Sequence, residues 1–239
     1  SVLLYIPVGK TRAQLRTGHS CQSRTVPHSM TYPYFFDKQT RIEKLQEIVG
    51  SDAAGRGMRN LLVPGDLLKA ARIFSRPLNV SAPATLIVLS GFPCCINESP
   101  PTETDGPPGA LAIARAGQEL GYRVIVVTDD CNGLVFQAAC QDKFELQTFP
   151  ATFSKDDEDT FQKLAESCTL LIACERAGPG PDGKCRTMRG IDMEGLVAPL
   201  HRFRDECQAP FLAVGDGGNE LGMGSVIENI RRHIPLGDT

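Results

Sequence analysis

At 239 residues, the chain is long enough to bury one full core, with room for a tail or a small extra subdomain. Its composition, 41% hydrophobic and 22% charged, is that of an ordinary globular protein and excludes a disordered chain. A formal net charge of −3 and a pI near 5.8 give no basic face for nucleic acid, and no apolar run approaches the roughly 20 residues that a membrane span needs.

Residues 1–36 mix Pro, His, Ser, Thr and Arg without sustained periodicity and read as a poorly ordered N-terminal segment. A helical lead-in over 37–75 follows. Ile42, Leu45, Ile48 and Val49 fall on one helical face, and a second apolar helix is expected around Leu67–Phe74, after the Pro64–Gly65 turn. From residue 76 to 239, strands and helices alternate. The expected strands are Thr85–Leu89, Arg123–Thr128, Phe144–Phe149, Thr169–Cys174 and Pro210–Val214. Three are almost continuously apolar, as parallel strands covered on both faces should be, whereas Phe144–Phe149 alternates and belongs nearer an edge. Pro107 and Pro108 suit the first turn of a helix that runs to about Leu120 and ends at Gly121. Ser154 can cap Lys155–Ser167. Asp192 can cap a further helix that Pro199 interrupts, so two short pieces are expected there. The pattern predicts a doubly wound, mostly parallel sheet of five or more strands, a Rossmann-like three-layer α/β/α fold.

Nine cysteines at irregular spacing, with no CxxC pair and with Cys94 beside Cys95, argue against a zinc ribbon or a disulfide framework and for a reducing compartment. The chain begins with Ser1 and shows no intact signal peptide in its first residues, which reads as a fragment or processed form.

In doubly wound sheets the ligand sits beyond the carboxyl ends of the strands, so the loops there are the ones to inspect. The long loop Gly91–Gly109 ends in Glu103, Asp105 and Gly106 at a helix N-terminus, where free N–H groups through Gly109 can hold an anion; Asp105 as a plain helix cap is the competing reading. After Thr169–Cys174 come Arg176 and then Arg189, either of which can clamp a carboxylate or phosphate, or simply pair with Glu175 or Asp192. The strongest local signal is Gly215–Gly224, GDGGNELGMG. Its glycines, Gly217 and Gly218 among them, let the backbone approach a ligand, while Asp216, Asn219 and Glu220 can bind a cation, hold an ammonium group or move protons. The acidic run Lys155–Asp159 reads as a solvated helix start, and the four histidines fall in no catalytic spacing. With no histidine placed to activate them, Cys94 and Cys95 are poor candidates for nucleophiles. A dinucleotide site is disfavoured: the loop after Leu89 is not GxGxxG, and the glycine-rich turn after Val214 carries acids that would repel a pyrophosphate.

Two resemblances bear on the chemistry. GDGGNE is similar to the GDGxND metal-binding motif of Mg-dependent haloacid-dehalogenase-like phosphatases, but their nucleophilic Asp directly ends the first strand, whereas Asp105 lies fifteen residues beyond Ser90 and no DxD is present. A longer run resembles the D-glutamate cyclase family in its C-terminal domain: PGDLLKAAR (Pro64–Arg72), SGFP (Ser90–Pro93), ETDGPPGALAIA (Glu103–Ala114), VVTDD (Val126–Asp130), ERAG (Glu175–Gly178), MRGID (Met188–Asp192) and GDGGNELGMG, over about residues 40–239. This resemblance implies interconversion of D-glutamate and 5-oxo-D-proline with loss of water, in the mitochondrial matrix. No obligatory cofactor is expected, and a divalent metal is a possible addition. The family domain continues past the last residue here and has an N-terminal partner domain. Under this reading Asp216, Glu220 and Asp105 share the proton transfers in interchangeable roles, and Gly106, Gly109, Arg176, Arg189, Gly217, Gly218 and Asn219 bind substrate. A non-catalytic ligand-binding or regulatory module is the remaining alternative.

Overall fold

The computed structural model describes residues 3–5, 37–76 and 84–237. Apart from Leu3–Tyr5, the N-terminal segment expected to be poorly ordered lies outside the described residues. The elements are β1 (Leu3–Tyr5), α1 (Lys38–Val49), α2 (Asp66–Phe74), β2 (Thr85–Gly91), α3 (Gly106–Glu119), β3 (Arg123–Asp129), α4 (Gly133–Cys140), β4 (Glu145–Phe149), α5 (Lys155–Ser167), β5 (Cys168–Arg176), α6 (Arg202–Glu206), β6 (Phe211–Gly215) and α7 (Ile227–His233). None of these helices is long and apolar enough to cross a membrane.

The strands form one sheet in the order β1-β6-β5-β2-β3-β4, parallel throughout except for β1, which runs antiparallel to β6. The parallel part starts at β2, winds outward through β3 to β4, then crosses back to β5 and winds the other way to β6. Strand order therefore reverses between β2 and β5, and a crevice must open there because the two sets of crossover helices lie on opposite faces. The alternating strand β4 takes the edge, as its pattern requires, and every residue of β2 is buried.

Period-two alternation along the strands feeds two separate cores. Leu86 and Val88 face one side with Val124, Val126, Ala110, Ala114 and Phe136, where α3 and α4 pack. Ile87 and Leu89 face the other with Ile125, Val127, Phe149, Phe161 and Phe203, under α5 and α6. This second face is sealed by an aromatic cluster: Phe161 lies 4.2 Å from Phe203 and 6.3 Å from Phe149, ring centre to ring centre. Each such ring contributes about 1.5–3 kcal/mol by burial. Ser154 caps α5 as expected. Its hydroxyl accepts the Asp157 N–H at 3.2 Å, and the Asp157 carboxylate accepts the Ser154 N–H at 2.8 Å.

Three elements depart from expectation. The helix expected after Asp192 does not form: Asp192 accepts the Glu194 N–H at 3.0 Å as a cap would, but Gly195 takes φ +78°, in the left-handed region, and ends the turn; only α6, beyond Pro199, is helical. Helix α4 and strand β1 were not anticipated. The first is a single short apolar stretch with no readable stripe, and the second pairs only at long range.

A buried ion pair holds the strand ends together. Arg176, the last residue of β5, pairs bidentately with Asp129, the last residue of β3, and both side chains are fully buried. The same guanidinium donates to the Ala198 carbonyl at 2.8 Å, and Asp129 accepts the Ala198 N–H at 2.6 Å. Asn132 donates to Asp129 at 2.9 Å and accepts the Thr102 hydroxyl at 2.7 Å. Loops after β2, β3 and β5 are thereby tied to one charge pair. Removing one partner strands the other in an apolar interior, so Asp129→Ala is expected to lower the unfolding free energy by about 3–5 kcal/mol. The surface cap variant Ser154→Ala should lower it by only about 1 kcal/mol. Urea denaturation of the two variants side by side measures both.

Candidate active site

At the crevice between β2 and β5, the loops following β2, β5 and β6 enclose a cleft of about 520 Å³. Five carboxyl groups (Glu98, Glu103, Glu175, Asp216 and Glu220) and two arginines (Arg56 and Arg189) line it. Charges so unequal within one cleft cannot all remain ionised without protons or cations to offset them.

The glycine-rich turn is organised by its own acid. Glu220 is buried, and its carboxylate curls back to accept N–H groups from Asp216 at 2.9 Å, Gly217 at 2.5 Å and Gly218 at 2.7 Å. A Cβ on Gly215 would lie 2.9 Å from the Glu220 Cβ, so glycine there is a condition of that curl. Burial pushes the Glu220 carboxyl upward, and the three N–H donors oppose it by stabilising the charged form. The turn is joined to the loop after β5: the Leu221 N–H donates to the Arg176 carbonyl at 2.7 Å, the Gly178 N–H to the Asn219 carbonyl at 3.0 Å, and the Asn219 side-chain amide to the Arg186 carbonyl at 2.8 Å.

Glu175 is placed by an irregularity. Along the β2–β5 ladder Ser90 pairs with Cys174 and Gly91 with Arg176, so Glu175 is an extra residue on β5 with no partner position. It adopts φ +46°, in the left-handed region that side chains other than glycine rarely take. Such a bulge re-aims a side chain. Here Glu175 turns into the cleft while its neighbour Arg176 turns into the core. Burial, followed by the charges of Glu220, Asp216, Asp105 and Glu103, raises the Glu175 carboxyl to about 9, so it carries a proton at neutral pH. Carboxylate oxygens of Glu175, Asp216 and Glu220 all lie within 4.8 Å of one another, and among the described residues this is the cluster that could hold a metal ion.

The cation beside Asp216 comes from the lead-in. Arg56 donates to the two oxygens of Asp216 at 3.0 and 3.2 Å. The bend that delivers it is fixed by Asp52, whose carboxylate accepts the Arg56 and Gly57 N–H groups at 2.8 and 3.0 Å. Arg189 also lines the cleft, and its guanidinium has no ion-pair or hydrogen-bond partner among the described residues.

Of the residues singled out in the sequence, Asp216, Glu220, Asn219 and Arg189 meet at the cleft. Gly217 and Gly218 give their N–H groups to Glu220, not to the cavity. Arg176, expected to clamp a substrate carboxylate, is corrected to an internal brace, its guanidinium fully buried against Asp129. Asp105 sits at the N-cap of α3 but makes no capping hydrogen bond, because the two positions whose N–H groups a cap would reach are Pro107 and Pro108, which have none. Its carboxyl is exposed, does not line the cleft, and acts on Glu175 only through its charge. Those prolines also thin the anion site expected at this helix terminus. Gly106 and Gly109 serve close packing instead: a Cβ on Gly106 would come within 3.0 Å of the Glu175 Cβ, and one on Gly109 within 3.1 Å of the Cys174 sulfur. Sequence reasoning missed Glu175 and Arg56 as site residues. The ERAG segment contained the first, but nothing in it announced a bulge.

The fold is a doubly wound α/β domain of the Rossmann-like class, and its switch point carries an acid with a raised carboxyl, an ionic Arg–Asp pair and a glycine turn. Residues 45–239 match the family described as D-glutamate cyclase-like, C-terminal, and the chain belongs to that family. It is similar to the human protein named D-glutamate cyclase, mitochondrial: 34% identical over 215 residues, taking in 83% of this chain and 34% of the relative. The chain therefore spans about a third of that relative's length.

The Glu175 carboxyl has a consequence for stability. In the unfolded chain it titrates near 4.5 and in the fold near 9, so across that window the folded state holds a proton that the unfolded state has released. Stability from this group is fully present below about 4.5 and declines as pH rises toward 9. Glu175→Gln should remove that decline. The variant is expected to match the parent at pH 4 and to exceed it increasingly up to pH 9, as read from urea midpoints across the range.

Proposed function

We propose that this domain carries the reaction centre of a D-glutamate cyclase-like hydro-lyase, which closes D-glutamate to 5-oxo-D-proline with loss of water and catalyses the reverse opening. The observation that carries this reading is the pairing, within 4.8 Å, of an acid held protonated (Glu175) with Asp216, held by Arg56 in a charge-assisted pair. Ring closure needs both kinds of group. The amine must lose protons before it attacks the side-chain carboxyl carbon, and the departing oxygen must gain them before it leaves as water. Asp216 takes one proton from the substrate ammonium, and Glu175 donates one to the leaving oxygen. The second proton that the nitrogen loses on ring closure passes to Glu175, and the proton held by Asp216 passes to the leaving oxygen, so water departs and both carboxyl groups end as they began. Glu220 supports both by fixing the turn on which Asp216 sits. Arg189 binds a substrate carboxylate, and Asp105 keeps Glu175 protonated from outside the cleft. Substrate and product both carry one net negative charge, so the cleft's charge balance is unchanged by turnover.

A divalent cation would use the same three carboxyl groups, Glu175, Asp216 and Glu220. Its binding would ionise Glu175 and so displace the proton donor, which makes the two uses mutually exclusive. Phosphate-ester hydrolysis by an aspartyl nucleophile finds no support, since β2 ends in Ser90 and Gly91. The human relative's name places it in mitochondria, and we extend that placement, in the matrix, to this protein.

In the full-length protein, Asp216→Asn and Glu175→Gln are each expected to lower kcat for 5-oxo-D-proline formation by roughly 10²–10⁴-fold. A chelator should leave the parent's rate unchanged, and phosphate esters should not react. Full activity in both variants, or saturable D-glutamate binding without turnover by the parent, would overturn the assignment. Loss of activity on chelation would transfer the three carboxyl groups to a metal.

A further inference from the structure

The loop after β2 closes on itself, with the Glu103 N–H donating to the Phe92 carbonyl at 2.9 Å and the Cys95 N–H to the Pro101 carbonyl at 3.0 Å. This closure sets two adjacent thiols, Cys94 and Cys95, in the wall of the cleft with their sulfurs 3.8 Å apart. Cys95 is exposed. Cys94 is half-buried and donates its S–H to the Glu103 carboxylate at 3.3 Å. The proposed ring closure uses neither thiol. Of the remaining described cysteines, Cys131 and Cys185 are half-buried, and Cys140, Cys168, Cys174 and Cys207 are buried; although Cys168 and Cys207 contact each other, the core screens them from solutes.

We propose that Cys94 and Cys95 are a thiol-modification site, forming a reversible disulfide between neighbouring residues at the mouth of the cleft by exchange with a small-molecule disulfide such as oxidised glutathione. The exposed Cys95 thiolate attacks one sulfur of the reagent RS–SR, forming Cys95–S–SR and expelling RS⁻. Cys94 then attacks the Cys95 sulfur, forms the Cys94–Cys95 bond and expels the second RS⁻. The protein loses two electrons and two protons, and the reagent leaves as two RSH.

The surroundings suit this division of labour. Burial and the neighbouring Glu103 push the Cys94 thiol up to about 12, so it is a poor first attacker and needs a base for the second step. Glu103 is that base: it already accepts the Cys94 S–H, and its own carboxyl is raised by burial and by the charges of Asp105 and Asp216, which improves it as a proton acceptor. Reversibility follows from the chain geometry. Adjacent Cα atoms lie about 3.8 Å apart across a trans peptide, below the roughly 4.4–6.8 Å usual for bridged cysteines, and a bond under that strain is readily reduced. Forming it draws the sulfurs together to about 2.05 Å, takes Cys94 off Glu103, and leaves that carboxyl facing the cleft.

The full-length protein, first reduced, is equilibrated with graded ratios of oxidised to reduced glutathione, quenched by alkylation and mapped by peptide mass spectrometry; this readout is independent of turnover. The peptide containing both cysteines should lose two hydrogens, escape alkylation, and return to the dithiol when reduced glutathione is restored. Cys94→Ser should trap a glutathione adduct on Cys95, and Cys95→Ser should leave Cys94 open to alkylation. Both thiols of the parent remaining alkylatable at every ratio would overturn the proposal. So would a stable mixed adduct accumulating on the parent in place of the internal bond.

Discussion

The Arg176–Asp129 pair is the constraint on which the rest of the site depends. A doubly wound sheet creates a crevice at its switch point for topological reasons, but topology alone leaves the loops around that crevice without a common anchor. The buried pair supplies one, joining the ends of β3 and β5 and reaching Ala198 and, through Asn132, Thr102. Its desolvation is expensive, and hydrophobic replacements of similar shape often serve stability as well. What such replacements lack is direction. A guanidinium and a carboxylate in bidentate contact fix distances and angles that apolar packing leaves loose, and the residue whose position is fixed most closely is the one beside Arg176.

That neighbour sets the electrostatics of the cleft. Glu175, Asp216 and Glu220 stand close enough to repel, and each is relieved differently. Glu220 accepts three backbone N–H groups, Asp216 is met by Arg56, and Glu175 keeps a proton. Three carboxyl groups in one small volume thus acquire three different characters from local surroundings alone. Separating the tendencies of like groups to hold protons is how a site obtains an acid and a base from one type of side chain.

Much of the fold was legible because it rests on patterns that survive in one dimension. Continuous apolar runs marked the buried strands, alternation put Phe144–Phe149 near an edge, and Ser154 announced the start of α5. The location of the site was legible for the same reason, since polar and glycine-rich residues directly after an apolar strand point to the carboxyl edge of the sheet. The identity of the contacting side chains was harder to read. Strand alternation forbids Glu175 and Arg176 from facing the same way, yet which of them faces inward depends on a bulge set by pairing with β2, 85 positions away in sequence. Arg56 comes from a segment whose periodicity speaks only of helix, and it reaches Asp216 across 160 residues. The helix expected after Asp192 stops at Gly195, whose left-handed backbone the capping signal at Asp192 does not weigh.

The backbone at Glu175 has one more implication. A residue with a side chain at φ +46° is strained, and a half-buried carboxyl among other acids adds to the cost. Glycine at this position would relax the backbone and remove the repulsion together, although it would leave the chain with more freedom to lose on folding. Drift toward greater stability therefore runs directly against retention of the acid. Glutamate at this address costs the fold stability, and what it gives in return is an acid placed in the cleft.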